Sequence, residues 1–116
     1  MLFARDPAVR DQIAAELPTH FDNLAISTST FNNLEINVAS AHKGRALERF
    51  AEHFGWTLVN CMSFGEGLND LSLVRLAGIG VAMANAAPVV LAAAEYVTLS
   101  NDADGVAAAL RHFLDL

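Results

Sequence analysis

The sequence predicts an α/β fold: a parallel sheet with flanking helices, preceded by a small α+β segment. Three patterns predict it. From residue 43 onward, helical and extended stretches alternate as α-β-α-β-α-β-α, the order of a doubly wound sheet. The extended stretches there, 58–64 (LVNCMSF) and 79–83, are nearly continuous apolar runs, as strands covered on both faces require. Residues 24–29 and 34–38 instead alternate apolar with polar side chains, the mark of antiparallel strands with one wet face.

Taken in order, Leu2 to Ala4 reads as a short strand. Asp6-Pro7 then opens a helix, with Asp6 as cap and Pro7 at the first helical position. That helix runs to Leu17, buries Val9, Ile13, Ala14 and Leu17, and is ended by Pro18. The strands Leu24–Ser29 and Leu34–Val38 are joined around Asn32-Asn33. Lys43 to Phe54 forms an amphipathic helix with Ala46, Leu47, Phe50, Ala51 and Phe54 on one side, stopped by Gly55. A strand over 58–64 leads into a loop, Gly65 to Asp70, then a short helix to residue 77 and a strand, Ile79 to Met83. Pro88 to Ala94 is helical, Tyr96 to Thr98 extended, and Asp104 to Leu114 closes the chain as a helix.

Composition narrows the function. Of 116 residues, 53% are hydrophobic and 17% charged, enough for a buried core. The net charge is −6, and the seven bases (Arg5, Arg10, Lys43, Arg45, Arg49, Arg75, Arg111) are dispersed. No basic patch marks the chain for nucleic acid or an anionic membrane. Cys61 is the single cysteine, which excludes an internal disulfide and a thiolate zinc cluster; it is expected to be a buried, inert thiol. Residues 76–94 carry no charge, but Gly, Asn85 and Pro88 break the run into strand, loop and helix. With no signal-peptide pattern, the expectation is a soluble, cytoplasmic protein.

In open α/β sheets ligands bind beyond the carboxyl ends of the strands, and the segment placed there is Phe64-Gly-Glu-Gly-Leu-Asn-Asp70. A dinucleotide-binding loop would want a third glycine near residue 70, where this chain has Asp70. Carboxylates at Glu66 and Asp70 repel bare phosphate unless a cation lies between them, and oxygen donors suit a hard ion such as Mg²⁺. The alternative is that Asn69 and Asp70 only cap the helix that follows. The histidines, His20, His42, His53 and His112, show no metal-ligand spacing and read as surface or helix-end residues.

Phe64–Ala86 (FGEGLNDLSLVRLAGIGVAMANA) and Tyr96–Leu110 (YVTLSNDADGVAAAL) resemble the end of Cof-type haloacid-dehalogenase-like (HAD) phosphatases. Those proteins carry a GDxxND loop, an apolar helix, a GVAM-like strand, an N-A step and a terminal SN-x-x-DGVA segment. Leu34–Asn37 (LEIN) and His42–Leu47 (HKGRAL) resemble their LEI…KG-x-AL stretch. The likeness implies a partial HAD-like Rossmannoid core over 34–116, with 1–33 as a remnant of the α/β cap domain.

It also implies residue roles. Lys43 would neutralise the substrate phosphate and the nucleophilic carboxylate, Asn69 would orient the phosphate, and Asp70 would support the lysine and the hydration shell of Mg²⁺. Glu66 stands where the family has an aspartate bound to Mg²⁺. Its extra methylene carries the carboxylate about 1.5 Å further, a disturbance for an ion held at about 2.0–2.1 Å. The family's nucleophile lies in a DxDGT segment, and none occurs in these 116 residues. Asp102-Ala-Asp104-Gly105 is followed by Val106 and matches the terminal segment instead.

The expectation is therefore a phosphatase fragment, inactive or nearly so alone, acting on a phosphorylated small molecule only when completed. The alternatives are a non-catalytic dimeric interaction module and one chain of a two-chain hydrolase whose nucleophile comes in trans. In the family the 58–64 strand lies beside the nucleophile strand. Without that neighbour it is an open edge, so a homodimer or a partner chain is expected to pair there.

Overall fold

The computed structural model describes residues 1–28 and 32–115. The chain forms two compact units, Met1–His42 and Lys43–Leu116. The units part at 42/43 because the strand that begins at Asn33 pairs with the strands before it.

In the first unit, β1 (Leu2–Phe3), α1 (Pro7–His20), β2 (Leu24–Ser27) and β3 (Asn33–Val38) build an antiparallel sheet in the order β1-β3-β2. Leu24 pairs with Val38, and Leu2 with Leu34, so β3 is the central strand. Asn33 is its first residue, not a turn, and is buried with Leu34 and Ala4. The end of the expected 24–29 strand lies outside the described residues. Asp6 caps α1 by accepting the Ala8 N–H at 2.9 Å. The helix passes Pro18 and ends at His20, since a missing N–H one turn from the end removes a single bond and the Phe21 N–H still reaches Leu17 O at 3.1 Å. Ile13, Ala14 and Leu17 are half-buried, but Val9 faces solvent: α1 packs on β3 along a narrower stripe than its apolar positions suggest.

The second unit holds α2 (Lys43–Phe54), β4 (Met62–Gly65), α3 (Leu71–Leu76), β5 (Ile79–Ala82), α4 (Pro88–Leu91), β6 (Tyr96–Val97) and α5 (Gly105–Leu114). The sheet is parallel in the order β4-β5-β6, with Met62 opposite Ile79 and Val81 opposite Tyr96. Its carboxyl ends, Gly65, Ala82 and Val97, therefore lie side by side. Val74 of α3, Ala82 of β5, Ala86 and Val90 of α4 form the core, with Leu71 and Leu91 packed around it.

Residues 58–64 do not form one strand. Leu58–Asn60 is a 3₁₀ turn, and the strand is confined to Met62–Gly65. The Leu58 carbonyl accepts from Cys61 N–H at 3.0 Å and from Gly78 N–H at 2.7 Å, which folds the segment back on itself. Gly78 makes this possible, because a Cβ there would meet Val59 O at 2.0 Å. Val59 is left 78% exposed. Cys61 is half-buried rather than sealed, its Sγ 3.6 Å from Thr57 O.

The expected limits of α2 hold, and Gly55 ends it at φ 67°. Its apolar side is only partly covered. Ala51 and Gly44 are buried, whereas Phe50 and Phe54 are half exposed and gather with Trp56 in a surface aromatic cluster, Phe54 stacked on Trp56 at 5.2 Å. The four histidines are exposed; His112 stacks on Tyr96 at 4.8 Å. No described helix is long and apolar enough to cross a membrane.

Candidate functional site

The loop after β4 is held open by one side chain. Asp70 sits in a 3₁₀ turn, Leu68–Asp70, that runs into α3. Its carboxylate does not cap α3; it turns back into the loop, where Oδ2 accepts the N–H groups of Glu66 and Gly67, each at 3.1 Å. The close turn needs glycine at 65, since a Cβ there would lie 2.6 Å from Asp70 Cβ. The other carboxylate oxygen, Oδ1, receives a charge-assisted hydrogen bond from Lys43 Nζ. Burial alone would push the Asp70 carboxyl up, but the lysine and the two backbone N–H groups outweigh it and hold it below its ordinary value.

Lys43 reaches Asp70 because α2 and α3 meet closely. Gly44 lies against α3 so tightly that a Cβ would fall 2.6 Å from Leu76 Cδ1 and 2.8 Å from Ser72 O. The Ser72 hydroxyl accepts the Gly44 N–H at 3.1 Å, satisfying one of the orphan donors of the first turn of α2. The Lys43 side chain remains about half exposed (51%) while that of Asp70 is 13% exposed, so the ammonium is tethered at the surface beside the loop.

Glu66 and Asn69 complete the set. Glu66 Oε2 accepts from Asn85 Nδ2 at 3.0 Å, and Asn85 Oδ1 in turn accepts the Asn101 N–H at 3.1 Å. The Asn69 side chain folds over Gly67, its Oδ1 2.8 Å from where a Cβ on that glycine would stand. Thus Lys43, Glu66, Asn69 and Asp70 all gather at the carboxyl end of β4. Beside them is a shallow cavity of ≈ 250 Å³ bounded by Phe64, Glu66, Asp70, Met83, Asn101 and Val106. That is below the roughly 300–1,000 Å³ of a ligand pocket that encloses its guest.

Sequence reasoning missed Asn85, Asn101 and Ser72. The first two follow the ends of β5 and β6, so position beyond a strand's carboxyl end was the signal that could have found them. Ser72 carries no such mark.

The donor set can be tested against Mg²⁺. Among the described residues no group of three or more His, Cys, Asp or Glu side chains could enclose a metal ion. Glu66 and Asp70 supply two carboxylates, and Asp70 spends both oxygens on protein donors. Mg²⁺ needs no protein cage; it keeps several waters and takes one or two carboxylates together with substrate phosphate. The residues fit the ion only as part of a shell, in which Glu66 would be a direct ligand and Asp70 an outer acceptor.

The haloacid dehalogenase-like hydrolase family model matches residues 1–110. The chain is 38% identical over 109 residues to the 5-amino-6-(5-phospho-D-ribitylamino)uracil phosphatase YcsE of Bacillus subtilis, covering 94% of this chain and 43% of that protein. It is 36% identical over 92 residues to the HMP-PP phosphatase of Cronobacter sakazakii, covering 78% of this chain and 34% of the relative. Among solved structures, a haloacid dehalogenase-like hydrolase from B. subtilis superposes with a TM-score of 0.83 at 33% identity, covering 96% of this chain and 39% of that one. The HAD subclass IIB sugar phosphatase BT4131 gives a TM-score of 0.84 at 34% identity, with 91% of this chain and 41% of that chain covered. The chain spans less than half the length of each of these proteins. It belongs to the haloacid dehalogenase-like hydrolase family.

Proposed function

We propose that the second unit is the phosphate- and cation-binding half of a phosphomonoester hydrolase site, and that these 116 residues do not complete the reaction alone. The observation that carries this reading is the Lys43–Asp70 pair at the carboxyl end of β4, with the Glu66 carboxylate held on the same loop. Phosphoryl transfer depends on positioning and on neutralising charge over the phosphate oxygens. Lys43 supplies the fixed positive charge, set in place by Asp70, and the Asn69 amide orients a phosphate oxygen. Glu66 offers a carboxylate oxygen to Mg²⁺, which when bound would offset further negative charge on the phosphate. Attack on phosphorus needs a nucleophile facing this loop, and no DxDGT run occurs in the sequence to supply it.

Relatives named as phosphatases of phosphorylated ribitylaminouracil, sugar and HMP-PP support a phosphorylated small molecule as the substrate class. In this reading residues 1–33 are the remnant of a cap domain and 34–116 part of the catalytic core. A cytoplasmic setting belongs to it, in keeping with a single cysteine and no internal disulfide.

Hydrolysis of p-nitrophenyl phosphate with Mg²⁺ tests the proposal: the purified chain is expected to show no turnover above buffer. Turnover that Lys43→Ala abolishes would overturn it. A second reading is favoured by one observation: β4 has β5 on one side and no other strand among the described residues. Such an edge, shortened from the expected 58–64 to Met62–Gly65, would accept a second copy of the chain or a partner chain bearing the nucleophile. Sedimentation showing a monomer at micromolar concentration would remove the homodimer.

A further inference from the structure

We infer that the free edge of β4 and the overhanging helix α2 form a slot for one extended segment of another polypeptide, apolar on the side that meets Phe50 and Phe54, and not for a second copy of this chain. The inference deepens the reading of β4 as an open edge and is independent of phosphate chemistry at the loop.

The helices on one face of the parallel sheet are out of step with its strands. α3 lies over β4 and β5: Ser63 Oγ of β4 donates to Leu73 O at 3.2 Å, and a Cβ on Gly80 of β5 would meet Val74 O at 2.0 Å. Val90 of α4 joins Val74 on Ala82, on the β5 side of α3. α2 rests on the other flank of α3. It starts with Lys43 at Asp70, just past the carboxyl end of β4, and is followed by Trp56, which lines a cavity of ≈ 350 Å³ together with Cys61, the residue before β4. The helix therefore runs alongside β4, opposite in direction, and projects past it to where the described residues place no strand. Lys43, Leu47, Phe50 and Phe54 recur at i, i+4, i+7 and i+11, one stripe of that helix. Lys43 leaves this stripe for the loop at the level of the sheet, so the two rings on it face the free side of β4.

Edge and roof each offer something to a strand. The Cys61 and Gly65 carbonyls accept from Ile79 and Met83 N–H, both at 3.0 Å, so with a period of two Met62 and Phe64 turn their N–H and C=O groups to the free side. Over that side Phe50, Phe54 and Trp56 are 51%, 52% and 57% exposed, about 300 Å² of aromatic surface in one cluster. An added strand would hydrogen-bond to the first and cover the second. A second copy matches neither the area nor the shape. A stable dimer buries about 800 Å² on each partner. Joining two β4 edges antiparallel about a two-fold axis would also lay each α2 over the other copy's β4, where α3 already lies. A single strand with no helix of its own on that face avoids the collision.

The probe is a capped eight-residue peptide, valine alternating with threonine between terminal lysines, added to the whole chain. Trp56 emission gives its Kd, and amide hydrogen exchange read by NMR locates it. At about ten times Kd, exchange at the Met62 and Phe64 N–H groups is expected to slow by about tenfold, while that of Ser63, which faces β5, is unchanged. The same peptide with its middle valines replaced by proline, which has no N–H to donate, should give no protection. Phe50→Ser, at a position already half exposed, should weaken the probe by about tenfold, which is what covering about a quarter of a phenylalanine side chain contributes. Leu99→Ser, a comparable apolar loss beyond β6, should leave it unchanged. No protection at millimolar peptide overturns the inference, as does protection that the proline peptide reproduces, that Phe50→Ser leaves intact or that Leu99→Ser weakens equally. Protection of Met62 and Phe64 that rises with the concentration of the chain alone would give the edge to a second copy and overturn it as well. Turnover enters none of these readings, so the phosphatase proposal and this one fail separately.

Discussion

Replacing Asp70 with alanine removes the brace of the 65–70 loop, and the geometry says which part of the loss dominates. Two backbone donors, Glu66 N–H and Gly67 N–H, lose a carboxylate acceptor at 3.1 Å, and Lys43 loses its partner. Hydrogen bonds to a charged group contribute about 1.5–3 kcal/mol each when buried. Here the Glu66 amide lies on an exposed residue that water can reach after the substitution, so about 1 kcal/mol per amide is the reasonable share. The ion pair adds at most about 0.5 kcal/mol, because the Lys43 side chain is 51% exposed and screened. The expected cost is about 2 kcal/mol for Asp70→Ala, about 1 kcal/mol for Asp70→Asn, which keeps one acceptor, and at most about 0.5 kcal/mol for Lys43→Ala. Urea unfolding followed by far-ultraviolet circular dichroism measures all three. Equal losses for Lys43→Ala and Asp70→Ala would refute the reasoning, since the ion pair and not the amide brace would then hold the loop.

Two further outcomes follow from the same contacts. Because the Asp70 carboxyl titrates below its ordinary value, its stabilisation is complete above the unfolded-state value of about 3.9 and fades as pH falls through the folded one. The stability difference between wild type and Asp70→Asn should therefore be flat from pH 7 to about 5 and narrow in stronger acid; an undiminished gap at low pH would contradict the assignment. Gly44→Ala should destabilise by about 1 kcal/mol, overpacking of about 1–3 kcal/mol against Leu76 and Ser72 being offset by better helix propensity. Forcing α2 from α3 should also raise the Asp70 pKa as read by NMR, and a stabilised variant with an unmoved Asp70 would show that the close approach is not required.

Much of the architecture was legible because single residues punctuate it. Pro7, Gly55 and Pro88 mark element ends, and the apolar periods of α2 and β5 are unambiguous. What escaped depends on partners distant in sequence. Nothing within LVNCMSF announces that the Leu58 carbonyl would be claimed by the Gly78 N–H and curl the segment into a turn. Pro18 reads as a stop, but a proline one turn from a helix end costs little. Val9, Phe50 and Phe54 sit at core spacing and face solvent, since periodicity gives a face and not what covers it. At the site, the loop and Lys43 stood out through glycines and charge, and the direction of the Asp70 carboxylate did not: a helix cap and a loop brace use the same residue at the same position.

Trp56 is the sole tryptophan, and it lies beyond the far end of α2 from Lys43. A helix of 12 residues is about 18 Å long, so the indole is remote from the loop it is separated from by a rigid rod. It is also 57% exposed and leans on Phe54 and Phe50. Its emission will report local melting of that corner, and a titration of phosphate or cation read by intrinsic fluorescence will stay optically silent even when the ligand is bound.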